Sequence, residues 1–155
     1  MIALTLVRHA KSDWGEPTLG DHERPLNARG LRDAPMLAAR QVERGLSADR
    51  LLSSTAVRAR TTAGFFATAL GLTVELDRRL YGAHPEAILE VAQGCGAERV
   101  IVVAHNPGLS VLAYELSGGG ISSMPTCAVA TFEWDADAAG AAPTSWRFDA
   151  PATVV

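Results

Sequence analysis

Residues 99–104 contain Val100-Ile-Val-Val103, an unbroken apolar and β-branched run. A strand of that kind has no face to offer to water, so it belongs inside a sheet covered by helices on both sides. Residues 2–7 form a similar run, and residues 49–53 and 73–76 predict two shorter strands. Between them the apolar spacing changes to that of helices. Asn27 can cap a helix carrying Leu31, Ala34, Leu37, Ala38 and Val42, with Gly45 at its stop. Pro35 is expected close to the first turn of that helix, where a missing N–H is harmless. Ala56, Ala59, Ala63, Phe66, Ala67 and Leu70 give a second stripe, ended by Gly71. Pro85 opens a helix with Ala87, Ile88 and Val91, and Pro107 opens one with Leu109, Leu112, Ala113 and Leu116. Two late strands are expected at 126–134 and 145–149, around an Ala/Gly/Pro-rich loop at 135–144. Strands alternating with helices predict an α/β fold, a three-layer α/β/α sandwich around a mostly parallel sheet. At 155 residues the expectation is a single domain over 1–155.

The charge balance narrows the partners. Lys plus Arg number 14 against 17 Asp plus Glu, a net charge of -3. Nucleic-acid binders are usually basic, so no nucleic-acid partner is expected. No apolar stretch approaches the roughly 20 residues of a membrane span. Residues 1–7 read as a strand rather than a secretion leader. The expected location is the cytoplasm, with no membrane partner. Cys95 and Cys127 form neither a disulfide framework nor a zinc motif, and read as small hydrophobes in a reducing compartment.

In open parallel sheets, ligands bind beyond the carboxyl ends of the strands. Arg8 and His9 follow the first predicted strand. Ser53, Ser54 and Thr55 follow the second, with Arg58 and Arg60 on the first turns of the next helix. His105, Asn106 and Pro107 follow the Val-Ile-Val-Val strand. Taken singly, such a histidine is more often a structural residue and such an arginine is usually solvated. Neither explanation accounts for their joint placement. Phosphate chemistry does: arginine offers a planar fork matched to phosphate oxygens, a helix start offers free N–H groups, and histidine can act as nucleophile or acid/base near neutral pH. A metal site is the rival reading. It would need a third ligand from Asp13, Asp21, His22 or His84, and the sequence has no HxH or HExxH spacing.

Four segments carry a resemblance. Leu6-Val-Arg-His-Ala-Lys-Ser12 resembles the LVRHGxS signature of the histidine phosphatase, or phosphoglycerate-mutase-like, superfamily. Pro25-Leu-Asn-Ala-Arg-Gly30 resembles its PLTxxG segment. Ser53-Ser-Thr-Ala-Val-Arg-Ala-Arg-Thr-Thr-Ala63 resembles its SSxxxRAxxTA segment. Val102-Val-Ala-His-Asn-Pro-Gly108 resembles the strand that delivers its second histidine. They lie in order over most of residues 2–116, and within the superfamily they look most like SixA-type phosphohistidine phosphatases. The resemblance implies a phosphoglycerate-mutase-like fold. It implies His9 as a transiently phosphorylated nucleophile, Arg8 and Arg58 clamping the phosphoryl oxygens, and His105 donating to the transferring group. Arg60 would point away along the helix, and Asn27 is a cap. A neutral imidazole can attack phosphorus in line, and the other ring nitrogen of His9 is expected to donate to a backbone carbonyl, fixing the attacking tautomer. Positioning and charge stabilisation suffice for such a transfer, so neither metal nor organic cofactor is expected. A phosphate or sulfate ion is expected to fit the pocket.

One departure bears on substrate. Leu76-Asp-Arg-Arg-Leu-Tyr-Gly82 resembles the LNERxYG stretch of mutases, with Arg78 where their acidic residue stands. Without that acid an alkoxide leaves badly, whereas the imidazole of a phosphohistidine leaves readily. Glu86, Asp13 and Asp21, and also His84, are the loop groups able to supply a proton instead. Tyr81 and Trp14 are candidates for the pocket mouth. The expected function is therefore a metal-independent phosphatase acting on protein phosphohistidine. The alternatives are a phosphatase for small phosphate esters or anhydrides, and a non-catalytic phosphate-binding module. The partner is accordingly a phosphorylated protein or a small phosphorylated molecule.

Overall fold

The computed structural model describes residues 1–135 and 142–152. In chain order the elements are β1 (Ala3–Arg8), α1 (Ala28–Glu43), β2 (Arg50–Ser53), α2 (Val57–Leu70), β3 (Val74–Leu76), α3 (Pro85–Gly94), β4 (Arg99–Ala104), α4 (Gly108–Leu116), β5 (Val129–Glu133) and β6 (Ser145–Asp149), with single 3-10 turns at Asp21–Glu23 and Arg78–Leu80. The Val-Ile-Val-Val run is β4, and it lies between β2 and β1 in a six-stranded sheet of order β3-β2-β4-β1-β5-β6. β1 to β4 are parallel. β5 runs against β1, and β6 against β5. The sheet is therefore mixed, with β5 the one reversed strand.

Successive residues of β4 point to opposite faces. Ile101 and Val103 pack with Leu37 of α1 and Phe66 of α2, while Val100 and Val102 pack with Ile88 of α3 and Leu109 of α4. That double burial explains why the strand has no polar position, and it completes the α/β/α layering.

Several local expectations change in three dimensions. α1 begins at Ala28 and runs through Pro35, which is therefore in mid-helix rather than near the first turn. An interior proline costs about 3 kcal/mol. Full burial of Leu37 on the side of α1 that meets α2, contributing about 1.5–3 kcal/mol, offsets much of it. The apolar stripe of α1 is also rotated from the predicted one. Leu31 and Val42 are exposed, and Asp33 and Gln41 are buried. For Gln41 the reason is Asp149 of β6: Gln41 Nε2 donates to its Oδ2 (2.7 Å), and Arg40 Nε donates to the same oxygen (2.8 Å). β5 starts at Val129 rather than at residue 126. Cys127 has a positive φ of 63°, and its N–H donates to the His9 carbonyl (3.0 Å) instead of joining a strand ladder. The expected loop at 135–144 lies, for residues 136–141, outside the described residues. Both cysteines are free, and burial pushes the Cys127 thiol up to about 12, far from a reactive thiolate.

Asn27 caps α1 as expected, accepting from the Gly30 N–H on its Oδ1 (2.9 Å). Its own N–H donates to the Lys11 carbonyl (3.0 Å), which ties the helix start to the loop after β1. This approach requires Gly30, since a Cβ there would sit 2.2 Å from that same carbonyl oxygen. Gly30→Ala is expected to lower stability by about 1–3 kcal/mol through overpacking against backbone. A urea midpoint equal to that of the parent would contradict the close approach. No helix among the described residues is long and apolar enough to cross a membrane.

Candidate active site

The register of the sheet builds the site. Arg8 pairs with Ala104, and Ser53 with Val103. The ladder runs one residue further on each strand: His9 N–H donates to Ala104 O (3.2 Å) and Ser54 N–H to Val103 O (3.0 Å). His9, His105 and Ser54 therefore stand side by side off the carboxyl edge. The two histidine rings lie 5.2 Å apart, each residue 7% exposed. Arg58 reaches the same place from the first turn of α2, and it is also buried.

Each side chain has a defined hold. His9 Nδ1 lies 2.8 Å from the Ala10 carbonyl. A carbonyl only accepts, so Nδ1 carries the proton and Nε2 keeps its lone pair. This is the tautomer a nucleophile needs. Arg8 Nη1 donates to the Met124 carbonyl (3.1 Å), which also accepts from Asn106 Nδ2 (2.9 Å). Arg58 Nη1 donates to the Asp21 carbonyl (2.7 Å) and Nη2 to Asp21 Oδ2 (3.0 Å). The Ala10 N–H donates to Thr62 Oγ1 (3.0 Å), whose hydroxyl donates to the Arg58 carbonyl (2.8 Å). Thr62 thus couples the loop holding His9 to the helix turn holding Arg58.

The charge state follows from burial. Removal from water is the largest influence on His9 and pushes it down to about 3. The Ala10 hydrogen bond opposes this, and His105, Arg58 and Arg8 add to it. His105 is pushed down to about 4, again mainly by burial and then by Arg58. Both imidazoles are neutral near pH 7, beside the guanidiniums of Arg8 and Arg58. Three donors or potential donors here, Arg8 Nε, Arg58 Nε and His105 Nδ1, are buried without a hydrogen-bond partner. Buried polar groups left unpaired cost about 1–3 kcal/mol each. A small oxyanion is the ligand whose oxygens could accept from all three, with the Nε2 lone pair of His9 alongside.

The predicted set comes together unevenly. Arg8, His9, Arg58 and His105 converge. Of the proton-donor candidates, Asp21 arrives at the site, but as the ion partner of Arg58. The Tyr81 hydroxyl donates to its Oδ2 at 2.5 Å, and together with Arg58 and Arg24 it holds the carboxyl well below the usual carboxylate range. An ionised Asp21 has no proton to give near neutral pH. Asp13 is exposed and accepts the Gly15 N–H (2.7 Å), and Glu86 is exposed on the first turn of α3. Neither bonds to the four converging residues among those described. His84 is exposed just before α3, and Arg78 and Arg60 are exposed. Tyr81 lies at the mouth, its ring edge-on to both His105 and His22. Trp14 is 73% exposed beneath the Arg24 guanidinium, 3.5 Å from its ring centre. Among the described residues no three His, Cys, Asp or Glu are grouped to hold a metal ion. Instead, His22 Nε2 bonds Thr55 Oγ1 (2.8 Å).

Sequence reasoning missed Ser54, Thr62 and the Asp21–Arg58–Tyr81 knot. Ser54 and Thr62 sit inside a segment already singled out, but no local spacing reveals what their hydroxyls meet.

Known proteins carry the same features. The profile of the histidine phosphatase superfamily (branch 1) matches residues 4–84. The uncharacterized protein Rv1276c of Mycobacterium tuberculosis (strain ATCC 25618 / H37Rv) is 39% identical over 114 residues, which is 72% of this chain and 70% of that protein. The crystal structure of a candidate phosphohistidine phosphatase SixA from Agrobacterium tumefaciens is similar at 28% identity with a TM-score of 0.82, over 97% of this chain and 98% of that one. A protein histidine phosphatase SixA complexed with tungstate shares the fold, at 22% identity and a TM-score of 0.76 over 96% and 94% of the two chains.

Proposed function

Because the chain belongs to the histidine phosphatase superfamily (branch 1) and is a phosphatase of its SixA type, we propose that it hydrolyses protein phosphohistidine through a phosphorylated His9. The observation that carries this reading is the fixed tautomer of His9, with Nδ1 held by the Ala10 carbonyl and Nε2 free beside Arg8, Arg58 and His105. The lone pair of Nε2 attacks phosphorus, an Nε2–P bond forms, and the bond from phosphorus to the substrate's imidazole nitrogen breaks. The leaving nitrogen takes its proton from water or is already protonated. Water then attacks the phospho-His9, the Nε2–P bond breaks, and phosphate departs with His9 neutral again. Arg8, Arg58 and the His105 Nδ1–H hold the equatorial oxygens throughout. Such preorganised donors act strongly in a site shielded from water.

The substrate follows from proton supply. Among the described residues the carboxylate touching the site is Asp21, and it is held ionised, so alkoxide leaving groups have no ready acid while imidazole needs none. The tungstate bound by the SixA of like fold is a phosphate-like oxyanion, which fits a pocket with three unpaired buried donors or potential donors. The test is kcat/KM for a phosphohistidine peptide beside sugar and nucleotide phosphates, together with trapping of the phosphoenzyme. Faster turnover of the peptide through an acid-labile, base-stable linkage is expected. Preference for a sugar phosphate would make the enzyme one for small esters.

The low histidine pKa values have a pH consequence. With His9 at about 3 and His105 at about 4, the folded protein binds fewer protons than the unfolded chain up to about 6.5. Stability therefore rises with pH across that window and is lost as pH falls from 6.5 toward 3. Phosphoenzyme formation is expected to persist at pH 5 while the melting temperature has already begun to drop. An acid limb centred near 6.5 would show instead that these imidazoles titrate as free histidines do.

A further inference from the structure

We propose that Ser54 is a positioning residue that keeps the proton of His105 on Nδ1, the nitrogen facing the phosphoryl group. This rests on the reading of His105 as a donor to that group. Ser54 is fully buried, and its Oγ lies 2.7 Å from His105 Nε2. That contact admits two arrangements. If Nε2 carried the proton it would donate to Oγ, and Nδ1 would turn a lone pair toward the anion. If Ser54 donates to Nε2, the single imidazole proton must sit on Nδ1.

The remaining bonds of Ser54 select between them. Its Oγ already accepts the Ala56 N–H (3.3 Å). Its carbonyl accepts the Ser53 hydroxyl (2.9 Å), so that neighbour is used as a donor elsewhere. Among the described residues, His105 Nε2 is the acceptor within reach of the Ser54 hydrogen. The opposite tautomer would give Oγ two N–H donors and leave its own hydrogen buried without an acceptor, which folded proteins avoid. Burial keeps His105 neutral, so only one ring nitrogen can hold a proton and the choice matters. His9 has its tautomer set by a backbone carbonyl and His105 by a serine hydroxyl. The two rings thus face the phosphoryl group with opposite polarity, one lone pair and one N–H.

The measurement is the 15N spectrum of the His105 ring in the intact protein near pH 7. A pyrrole-type Nδ1 with a pyridine-type Nε2 is expected in the parent protein, which needs no variant, and in Ser54→Thr, which keeps a hydroxyl. In Ser54→Ala the two nitrogens become averaged or exchange character, and kcat falls about tenfold to a hundredfold, less than loss of a whole donor costs. A pyridine-type Nδ1 in the parent protein overturns the proposal, as does a Ser54→Ala variant that keeps both the Nδ1 signature and full kcat. Trapping the phosphoenzyme in parallel separates the two claims. Without a phospho-His9 the reading of the site falls, whereas the ring spectrum still decides the role of Ser54.

Discussion

His9→Ala is expected to leave a folded protein with no acid-labile phosphoenzyme and no turnover above background. The expectation comes from the arrangement around the ring. In the proposed mechanism Nε2 of His9 is the nucleophile, left unprotonated because Nδ1 is held by the Ala10 carbonyl, and burial keeps the ring neutral near pH 7. The nearest other imidazole, His105, has its Nε2 engaged by Ser54 and faces the site with Nδ1. It cannot replace the missing lone pair without losing its role as donor. Water could attack the substrate directly, but the reaction would then lose the division of one hard step into two easier ones. The cavity left by the imidazole lies beside the half-buried Arg8 and the buried Arg58, so phosphate binding should survive. The decisive readings are labelled-substrate trapping and phosphate affinity measured on the same variant. A His9→Ala protein with full turnover would end the covalent mechanism.

Arg58→Ala is expected to lower kcat by about 10²–10³-fold, the loss seen when one preorganised donor to developing charge is removed. The structure adds a second penalty. Arg58 is paired with Asp21 through both the carbonyl and the carboxylate. Its removal leaves that carboxylate with Tyr81 and Arg24, and turns a less compensated negative charge toward an anionic substrate. KM should therefore rise along with the fall in kcat. Adding Asp21→Asn to Arg58→Ala should recover part of KM, because the repulsion goes even though the clamp is still missing. Arg58→Lys should recover little, since a point charge cannot reproduce the fork that spans Asp21 on one side and a phosphoryl oxygen on the other. Steady-state constants for the four proteins read this directly. A loss below tenfold in Arg58→Ala would show that the guanidinium serves the fold and not the reaction.

The Asp21–Arg58 pair also explains how two guanidiniums and two imidazoles tolerate one another side by side. One carboxylate offsets part of the positive charge while occupying the Nη groups, so that Nε of Arg58 is the edge left unpaired. Tyr81 holds that carboxylate from the mouth side and lays its ring edge against His105. The same carboxylate that sequence reasoning offered as a proton donor is thereby an electrostatic partner.

Some of this was readable from the chain. The β-branched apolar run 100–103 reads as a doubly buried strand, and a polar residue directly after such a strand emerges at the sheet's edge. This is why His9 and His105 were legible as site residues before any fold was known. Asn27 was legible as a cap because its function is local, reaching only to Gly30. The shift of the α1 stripe was not, because Gln41 and Arg40 turn inward for an aspartate more than 100 positions away. The late start of the predicted 126–134 strand was equally hidden, since the Cys127 N–H is claimed by the His9 carbonyl.

Periodicity and residue type are properties of neighbours in sequence, and they were enough to set the order of strands and helices and to nominate two histidines and two arginines. Register, proton position and ion pairing depend on groups far apart in the chain. Only the folded sheet, by placing residue 8 against 104 and 53 against 103, decided that Ser54 meets His105, that Thr62 bridges to Ala10, and that Asp21 serves Arg58. A hydrogen bond forms over about 3 Å, and no spacing rule within the sequence can report a distance that only chain closure creates.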